Sequence, residues 1–161
     1  MGDVMTSSKH FGNNRSVYEK SQRIRNALSA FGFDVVRVKI ESVPLHPAAP
    51  KTDGMAMPTG CYFESHLPIT ITEDAIPTLH DCCALLDLHV SRNVFKKNAD
   101  GTVVVMTTYR KYDVGYETFK VEVGRISNVL SASSFNIGRS VVEFSVYDTK
   151  VSHDADWLTS N

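Results

Sequence analysis

Two histidines occupy positions at which a β-strand would turn them away from a protein core. His66 lies in the segment 61–69 (CYFESHLPI), and His89 lies in the segment 88–95 (LHVSRNVF). Because side chains alternate between the two faces of a strand, His66 shares a face with Glu64, whereas Phe63, Ser65 and Leu67 share the other. A solvent-exposed strand face needs only common polar residues such as lysine, glutamate, threonine or serine. The two histidines therefore indicate a sheet face that binds a ligand.

Such a pair can act as acid and base on a phosphate ester, one histidine taking a proton while the other gives one. The segment 89–91 (HVS) resembles the H-x-[ST] motif that two-histidine phosphoesterases carry on strands of a duplicated sheet. The segment 66–68 (HLP) lacks the hydroxyl residue, so the resemblance covers one of the two motifs. It implies a metal-independent phosphoesterase with His66 and His89 as the catalytic residues.

Two other interpretations of these residues stay open at this point. A metal ion could bind His66, His89 and Glu64, whose nitrogen and oxygen atoms suit transition metals. The chain has no compact ligand spacing such as H-E-x-x-H, so we expect no metal and no cofactor. The face could also be a solvated surface on which histidines and tyrosines pair with neighbours across strands.

Basic and polar residues accompany the histidines on the predicted open face. Arginine and lysine bind anions, with phosphate first among the candidates, and Arg37, Lys39, Arg92 and Arg110 would hold such a group. Strict alternation turns Arg92 inward unless its strand ends or bulges there. The predicted ligand-binding residues are Arg37, Lys39, Tyr62, Glu64, Ser91, Arg92, Asn93, Arg110, Glu143 and Tyr147.

The elements that must position these residues follow an α-β-β-α-β-β-α-β order. We predict helices that start near Ser16, Thr72 and Asp113, and strands at 33–43, 61–70, 88–95, 102–112 and 139–149. This order predicts an α+β fold with a mostly antiparallel sheet, helices on one face and repeated ferredoxin-like α-β-β units. The other sheet face is then open to a ligand.

The domain organisation predicted from the sequence is simple. Residues 1–14 are expected to be a flexible tail, and residues 15–158 a single domain. The loop 44–60 holds four of the six prolines and is either a lid or a plain connector. Near the C-terminus, Asp148 could cap the open face or hold a cation, together with Asp154, Asp156 and Trp157.

Composition excludes several classes of protein. The 161 residues are 42% apolar and 22% charged, as in ordinary folded domains. A net charge of −1 gives no basic excess for duplex nucleic acid, and there is no apolar run long enough to span a membrane. Three cysteines, an odd number, favour reduced thiols in the cytoplasm. We expect a small anionic ligand or a protein partner, without a membrane partner.

The segments YFESH (62–66), HVSRN (89–93) and VYDT (146–149) resemble small α+β proteins that share Y-F-E-x-H, H-[LV]-S-R-N and V-Y-D-[ST] segments. The resemblance covers about residues 33–158, and it implies that the three segments belong together without implying an activity. The sequence thus predicts binding of an anionic, phosphorylated small molecule or nucleotide on the open face, with hydrolysis by the histidine pair as its chemistry. The alternative is a non-catalytic protein-interaction module that uses the sheet face or an edge strand.

Overall fold

The computed structural model of the chain describes residues 4–151, apart from the side chains of residues 92–95. It confirms an α+β fold and adds one two-residue strand to the predicted order of elements. The elements are α1 (Asn14–Ala30), β1 (Lys39–Ser42), β2 (Tyr62–Ile71), a short 3-10 helix (Glu73–Ala75), α2 (Ile76–Leu85), β3 (His89–Lys97), β4 (Val103–Lys111), α3 (Tyr116–Ala132), β5 (Asn136–Ile137) and β6 (Val141–Asp148).

The strands form one sheet in the order β1-β6-β2-β4-β3, with β5 beside β2, and every pair is antiparallel. The ten-residue β2 is central, with β4 and β6 as its long neighbours. The predicted repeat of α-β-β units is not confirmed. Instead, β4 lies between β2 and β3, the two strands that α2 connects, which is a split β-α-β arrangement.

The helices α2 and α3 cover one face of this sheet, as predicted. The aromatic ring of Phe119 on α3 stacks on Phe63 of β2 and on Tyr109 of β4, with 5.4 Å between ring centroids in both pairs. The buried side chains of the two helices recur at helical spacing, so they form one stripe against the strands. They are Leu79 and Cys83 on α2, and Phe119, Val123, Ile126 and Leu130 on α3.

The first helix begins at Asn14, two residues before the start predicted near Ser16. Asn13 is the N-cap, because its side chain accepts a hydrogen bond from the Ser16 backbone N–H at 2.9 Å. The Ser16 hydroxyl accepts one from the Asn13 N–H in return, at 3.1 Å. Ser16 is therefore the third helical residue of the box. After the helix, Gly32 has a φ of 84°, the left-handed conformation expected of a C-terminal cap.

The first strand is shorter than the predicted 33–43. It starts at Lys39, which lies opposite Asp148, the last residue of its only partner, β6. Residues before Lys39 thus have little strand left to pair with, although the Val38 carbonyl still accepts a hydrogen bond from the Thr149 N–H at 3.1 Å. Val36, which precedes the strand, is accordingly 47% exposed.

The loop 44–60 is fastened to the helix side of the sheet. Asp53 accepts hydrogen bonds from the Gly115 N–H and the Thr118 hydroxyl, both at 2.7 Å, at the beginning of α3. Ala49 is buried in the core that α2 and α3 share with the strands. The loop is therefore a connector that also caps α3, on the side opposite to the open face.

Two further expectations concern the chain as a whole. Cys61, Cys82 and Cys83 are free thiols, and burial raises the pKa of Cys83 to about 12, with a smaller contribution from Cys82. Within residues 4–151, none of the helices has the length and apolar character needed to cross a membrane.

Candidate functional site

The sheet side opposite α2 and α3 is called the open face here, and β2 runs along its middle. Glu64 of β2 lies opposite Arg110 on β4 and opposite Glu143 on β6. His66 lies opposite Thr108 on β4. The antiparallel register thus brings predicted site residues from three strands together. The open face comprises Tyr62, Glu64, His66, Thr108, Arg110, Glu143 and, at its margin, Lys39.

Glu64 is the buried centre of this face, with 1% of the residue exposed. Arg110 donates two hydrogen bonds to one carboxylate oxygen, from Nη2 at 2.6 Å and from Nε at 3.1 Å. The Lys39 ammonium contacts the other oxygen. Burial opposes ionisation of Glu64, but Lys39 and Arg110 outweigh it, so the pKa of Glu64 is lowered. Glu64 is therefore a carboxylate held by two cations.

Asp148 forms a second buried ion pair beside the first. Arg37 donates to both carboxylate oxygens, at 2.9 and 2.6 Å, and the Tyr62 hydroxyl donates at 2.6 Å. Burial alone would raise the pKa of Asp148, but Arg37 and Tyr62 lower it to about 2. The Tyr62 ring joins the two pairs, because the Arg110 guanidinium lies 4.6 Å from its centroid.

A bulge explains why Asp148, rather than Tyr147, belongs to the open face. Simple alternation along β6 from Glu143 predicts that Tyr147 lies there. The pairing of β6 with β1 shifts register between Ile40 and Glu41, which leaves one extra residue in β6 and reverses the alternation after it. The Tyr147 ring instead contacts Tyr18 of α1 edge-on, with centroids 5.3 Å apart. Its predicted place on the open face is wrong.

His66 has a protein partner at each ring nitrogen. Nδ1 lies 3.0 Å from the Thr108 hydroxyl, and Nε2 lies 3.5 Å from a Glu143 oxygen and 3.7 Å from a Glu64 oxygen. Burial disfavours the protonated ring, but the hydrogen bond to Glu143 and the charge of Glu64 outweigh it. The pKa of His66 is consequently raised. The carboxylates thus favour a protonated imidazole at the centre of the sheet.

His89 lies on the other side of Thr108. It is half-buried on β3, directly opposite Thr108 of β4. The three residues form a line across β2, β4 and β3, called here the His66–Thr108–His89 row. Two inter-strand spacings put the histidine Cα atoms about 9.6 Å apart. Ser91 follows where the pairing of β3 becomes irregular, and the predicted side chains of Arg92 and Asn93 lie outside the described residues.

Three of the four cations predicted to hold an anion, Arg37, Lys39 and Arg110, are already paired with carboxylates of the protein. Lys39 contacts Glu41 at 2.5 Å as well as Glu64. Three permanent cations thus meet four carboxylates, and His66, whose pKa Glu143 and Glu64 raise, lies beside two of these carboxylates. This set, called the ion-pair network, consists of Arg37, Lys39, Arg110, His66, Glu41, Glu64, Glu143 and Asp148.

A metal ion is a poor fit for the same cluster. Glu41, Glu64 and His66 each offer one ligand atom, and these atoms lie within 4.8 Å of one another. The Lys39 ammonium contacts both carboxylates, so a metal ion would have to displace it. Burial would lower the pKa of Lys39, but Glu64 and Glu41 raise it, which keeps the side chain charged. The carboxylates of Glu41 and Glu64 therefore bind the Lys39 ammonium rather than a metal ion.

The chain gives no match when it is compared with protein-family models, with curated proteins and with solved structures. The cations of the ion-pair network are paired with carboxylates of the protein, whereas the His66–Thr108–His89 row places a histidine on either side of one hydroxyl residue across three neighbouring strands. The row is the candidate site.

Proposed function

We propose that the protein binds a small phosphorylated molecule over Thr108 and hydrolyses its phosphoester with His66 and His89. The row carries this proposal, because two imidazoles flank one hydroxyl across three neighbouring strands. A phosphoryl group above Thr108 would be within hydrogen-bond reach of the Thr108 hydroxyl, which His66 contacts, and of the His89 ring on the other side. The resemblance of segment 89–91 to the H-x-[ST] motif supports the same assignment.

In this proposal His66 is the general acid. Glu143 and Glu64 favour its protonated form, and the Thr108 hydroxyl stands between its Nδ1 atom and the ligand position. Thr108 can therefore pass a proton: its hydroxyl gives a proton to the leaving oxygen and receives one from Nδ1. Such transfer in the transition state contributes about 10²- to 10⁴-fold to a rate.

His89 is the general base on the opposite side. It takes a proton from a water molecule whose oxygen forms the new bond to phosphorus. The ester P–O bond breaks, and the leaving oxygen takes the proton that Thr108 relays from His66. His89 then returns its proton to solvent, and His66 regains one, so that the cycle is closed.

The ion-pair network has a positioning role here. Arg110 and Lys39 hold Glu64 ionised beside His66, and Glu64 in turn favours the protonated ring. This role replaces the direct contact with an anion that was predicted for these cations. It also explains why a face that binds an anion carries so many carboxylates.

Hydrolysis of cyclic and linear phosphodiesters tests the proposal. We expect His66→Ala and His89→Ala each to lower turnover by about 10²- to 10⁴-fold. His80→Ala is the matched control, because His80 is exposed on α2, on the other side of the sheet. A chelator should leave turnover unchanged.

The outcomes separate the predicted alternatives. Turnover that a chelator abolishes would replace the histidine mechanism by a metal-dependent one. Saturable phosphate binding without turnover of any phosphodiester would leave a binding function and remove the hydrolytic step. If the protein neither binds phosphate nor hydrolyses any phosphodiester, the proposal is refuted and the protein-interaction module is favoured.

A further inference from the structure

The N-terminal part of the chain has a charge that the rest does not share. Between Val4 and Phe33 there are five lysines and arginines but a single acidic residue, Glu19, which leaves a net charge of +4. The whole chain has a net charge of −1, so the remainder carries −5. The low overall charge therefore averages a basic segment and an acidic domain, and such asymmetry indicates an anionic partner for the basic part.

The helix α1 presents most of this charge to solvent. None of its 17 residues is buried, and it packs through one stripe that includes the half-buried Ile24 and Leu28. Arg15, Arg23 and Arg25 are exposed. Arg15 alone among them pairs with Glu19, at 2.9 Å on the helix surface. The helix thus offers cations on the sides that do not face the sheet.

Large apolar side chains are exposed at both ends of α1. Before the helix, Met5 and Phe11 are 91% and 95% exposed; after it, Phe31 and Phe33 are 83% and 58% exposed. Residues 4–45 contain nine of the fifteen exposed large apolar side chains in the described part of the chain. A helix of this length measures about 25 Å, so the two apolar groups lie at opposite ends of the helix that carries the exposed arginines.

The segment before α1 is held against the helix. His10 Nε2 lies 2.8 Å from the Ser16 hydroxyl, and the Lys20 ammonium donates to the Lys9 carbonyl at 2.7 Å. These contacts keep Phe11 close to the first turn of the helix, beside its cations. Exposed aromatic and basic groups are thereby combined in one element.

We propose that α1 and the segment before it bind the surface of a membrane that contains anionic lipids. Lysine and arginine are attracted to acidic headgroups, and exposed apolar residues can enter the interface between headgroups and acyl chains. A nucleic acid would account for the arginines, but the exposed Val4 and Met5 have no role in binding one. The −5 charge of the remainder would orient the rest of the protein away from such a surface.

Co-sedimentation with phosphatidylcholine vesicles, with and without phosphatidylserine, tests this. Binding should require phosphatidylserine and weaken as salt is raised. Each basic residue near an anionic surface contributes roughly five-fold to binding, so Arg23→Gln with Arg25→Gln should weaken it about 30-fold. Phe11→Ser with Phe31→Ser should weaken it with all charges intact.

The control is Lys97→Gln with Arg125→Gln, which changes the net charge equally at exposed sites outside α1. This pair should leave binding close to wild type, and thermal unfolding should show that every variant is folded. Equal binding to both kinds of vesicle, equal loss in the control, or no binding at low salt would overturn the proposal. Binding of single-stranded nucleic acid through Arg23 and Arg25, without vesicle binding, would overturn it as well.

Discussion

Replacing Glu64 by glutamine tests whether the ion-pair network stabilises the sheet. The glutamine side chain has nearly the same shape and keeps one oxygen acceptor, but it removes the negative charge that Arg110 and Lys39 share. Those two side chains are only 9% and 19% exposed, so neither cation can regain its full hydration. The variant therefore leaves positive charge uncompensated under the open face.

The expected loss follows from these exposures. Removing one partner of a buried ion pair costs about 3–5 kcal/mol of unfolding free energy. Lys39 keeps Glu41 as a partner, so we expect the lower end, about 3 kcal/mol. For a chain of this size, such a loss lowers Tm by roughly 6–12 °C.

Urea unfolding of wild type, Glu64→Gln, Arg110→Gln and the double variant measures this effect. Because Arg110 contacts Glu64 directly, the two effects should not be additive. The sum of the losses of unfolding free energy in the two single variants should exceed the loss in the double variant by about 1–3 kcal/mol. Glu122→Gln is the control: it breaks an exposed pair with Arg125 on α3 and should cost less than about 1 kcal/mol. A loss for Glu64→Gln no larger than that of the control would refute the stabilising role.

Three further predictions concern the relay, the acid response and the cap of α3. Thr108→Val should lower phosphodiester turnover about 100-fold, which is the lower end of the range for proton transfer. Thr70→Val is the control and should leave turnover unchanged. Equal turnover in the two variants would exclude the relay. The folded pKa of Asp148, about 2, is below its ordinary 3.8, so its stabilisation is present above pH 3.8 and lost as pH falls towards 2. As pH falls from 3.8 towards 2, the unfolding free energy of Asp148→Asn should therefore decline less than that of wild type. An equal decline in the two proteins would contradict the ion pair. A Cβ at Gly115 would meet backbone of the proline-rich loop, so Gly115→Ala should cost about 2 kcal/mol in urea unfolding, whereas Gly124→Ala, with open space around it, should gain up to about 1 kcal/mol. The same sign for both would contradict this packing.

Local periodicity was enough to predict which side chains of β2 share one sheet face, but not that Tyr62 and Glu64 are buried on it. The alternation in β2 put Tyr62, Glu64 and His66 on one side, and the antiparallel register confirms that they lie together beside Arg110 and Glu143. These features depend on residues close in sequence, whose spacing alone decides which face they share.

The partners of the charged residues could not be predicted, because they depend on strand order and register. Arg37 meets Asp148 from 111 residues away, and only the position of β6 next to β1 brings the two together. The bulge in β6 is equally hidden, since it is a property of the pairing between two strands. Arg37, Lys39 and Arg110, which were predicted to hold a ligand, are therefore bound by carboxylates of the protein.

The capping residues show a smaller failure with a physical cause. Both Asn13 and Ser16 are good N-cap residues, and the S-x-x-E pattern favoured the second. The structure uses both, with the Ser16 hydroxyl bonded back to the Asn13 N–H. Sequence pattern identified the box chemistry but not its register.

The most direct test of the His66–Thr108–His89 site is a titration with inorganic phosphate, followed by NMR of the histidine ring signals. His66→Ala and His89→Ala assign the two signals, and the exposed His80 serves as the internal reference. We expect the His66 and His89 signals to shift along one saturable curve with a common Kd, and the His89 shift to weaken in His66→Ala. Independent midpoints, or shifts no larger than that of His80, would contradict a shared site.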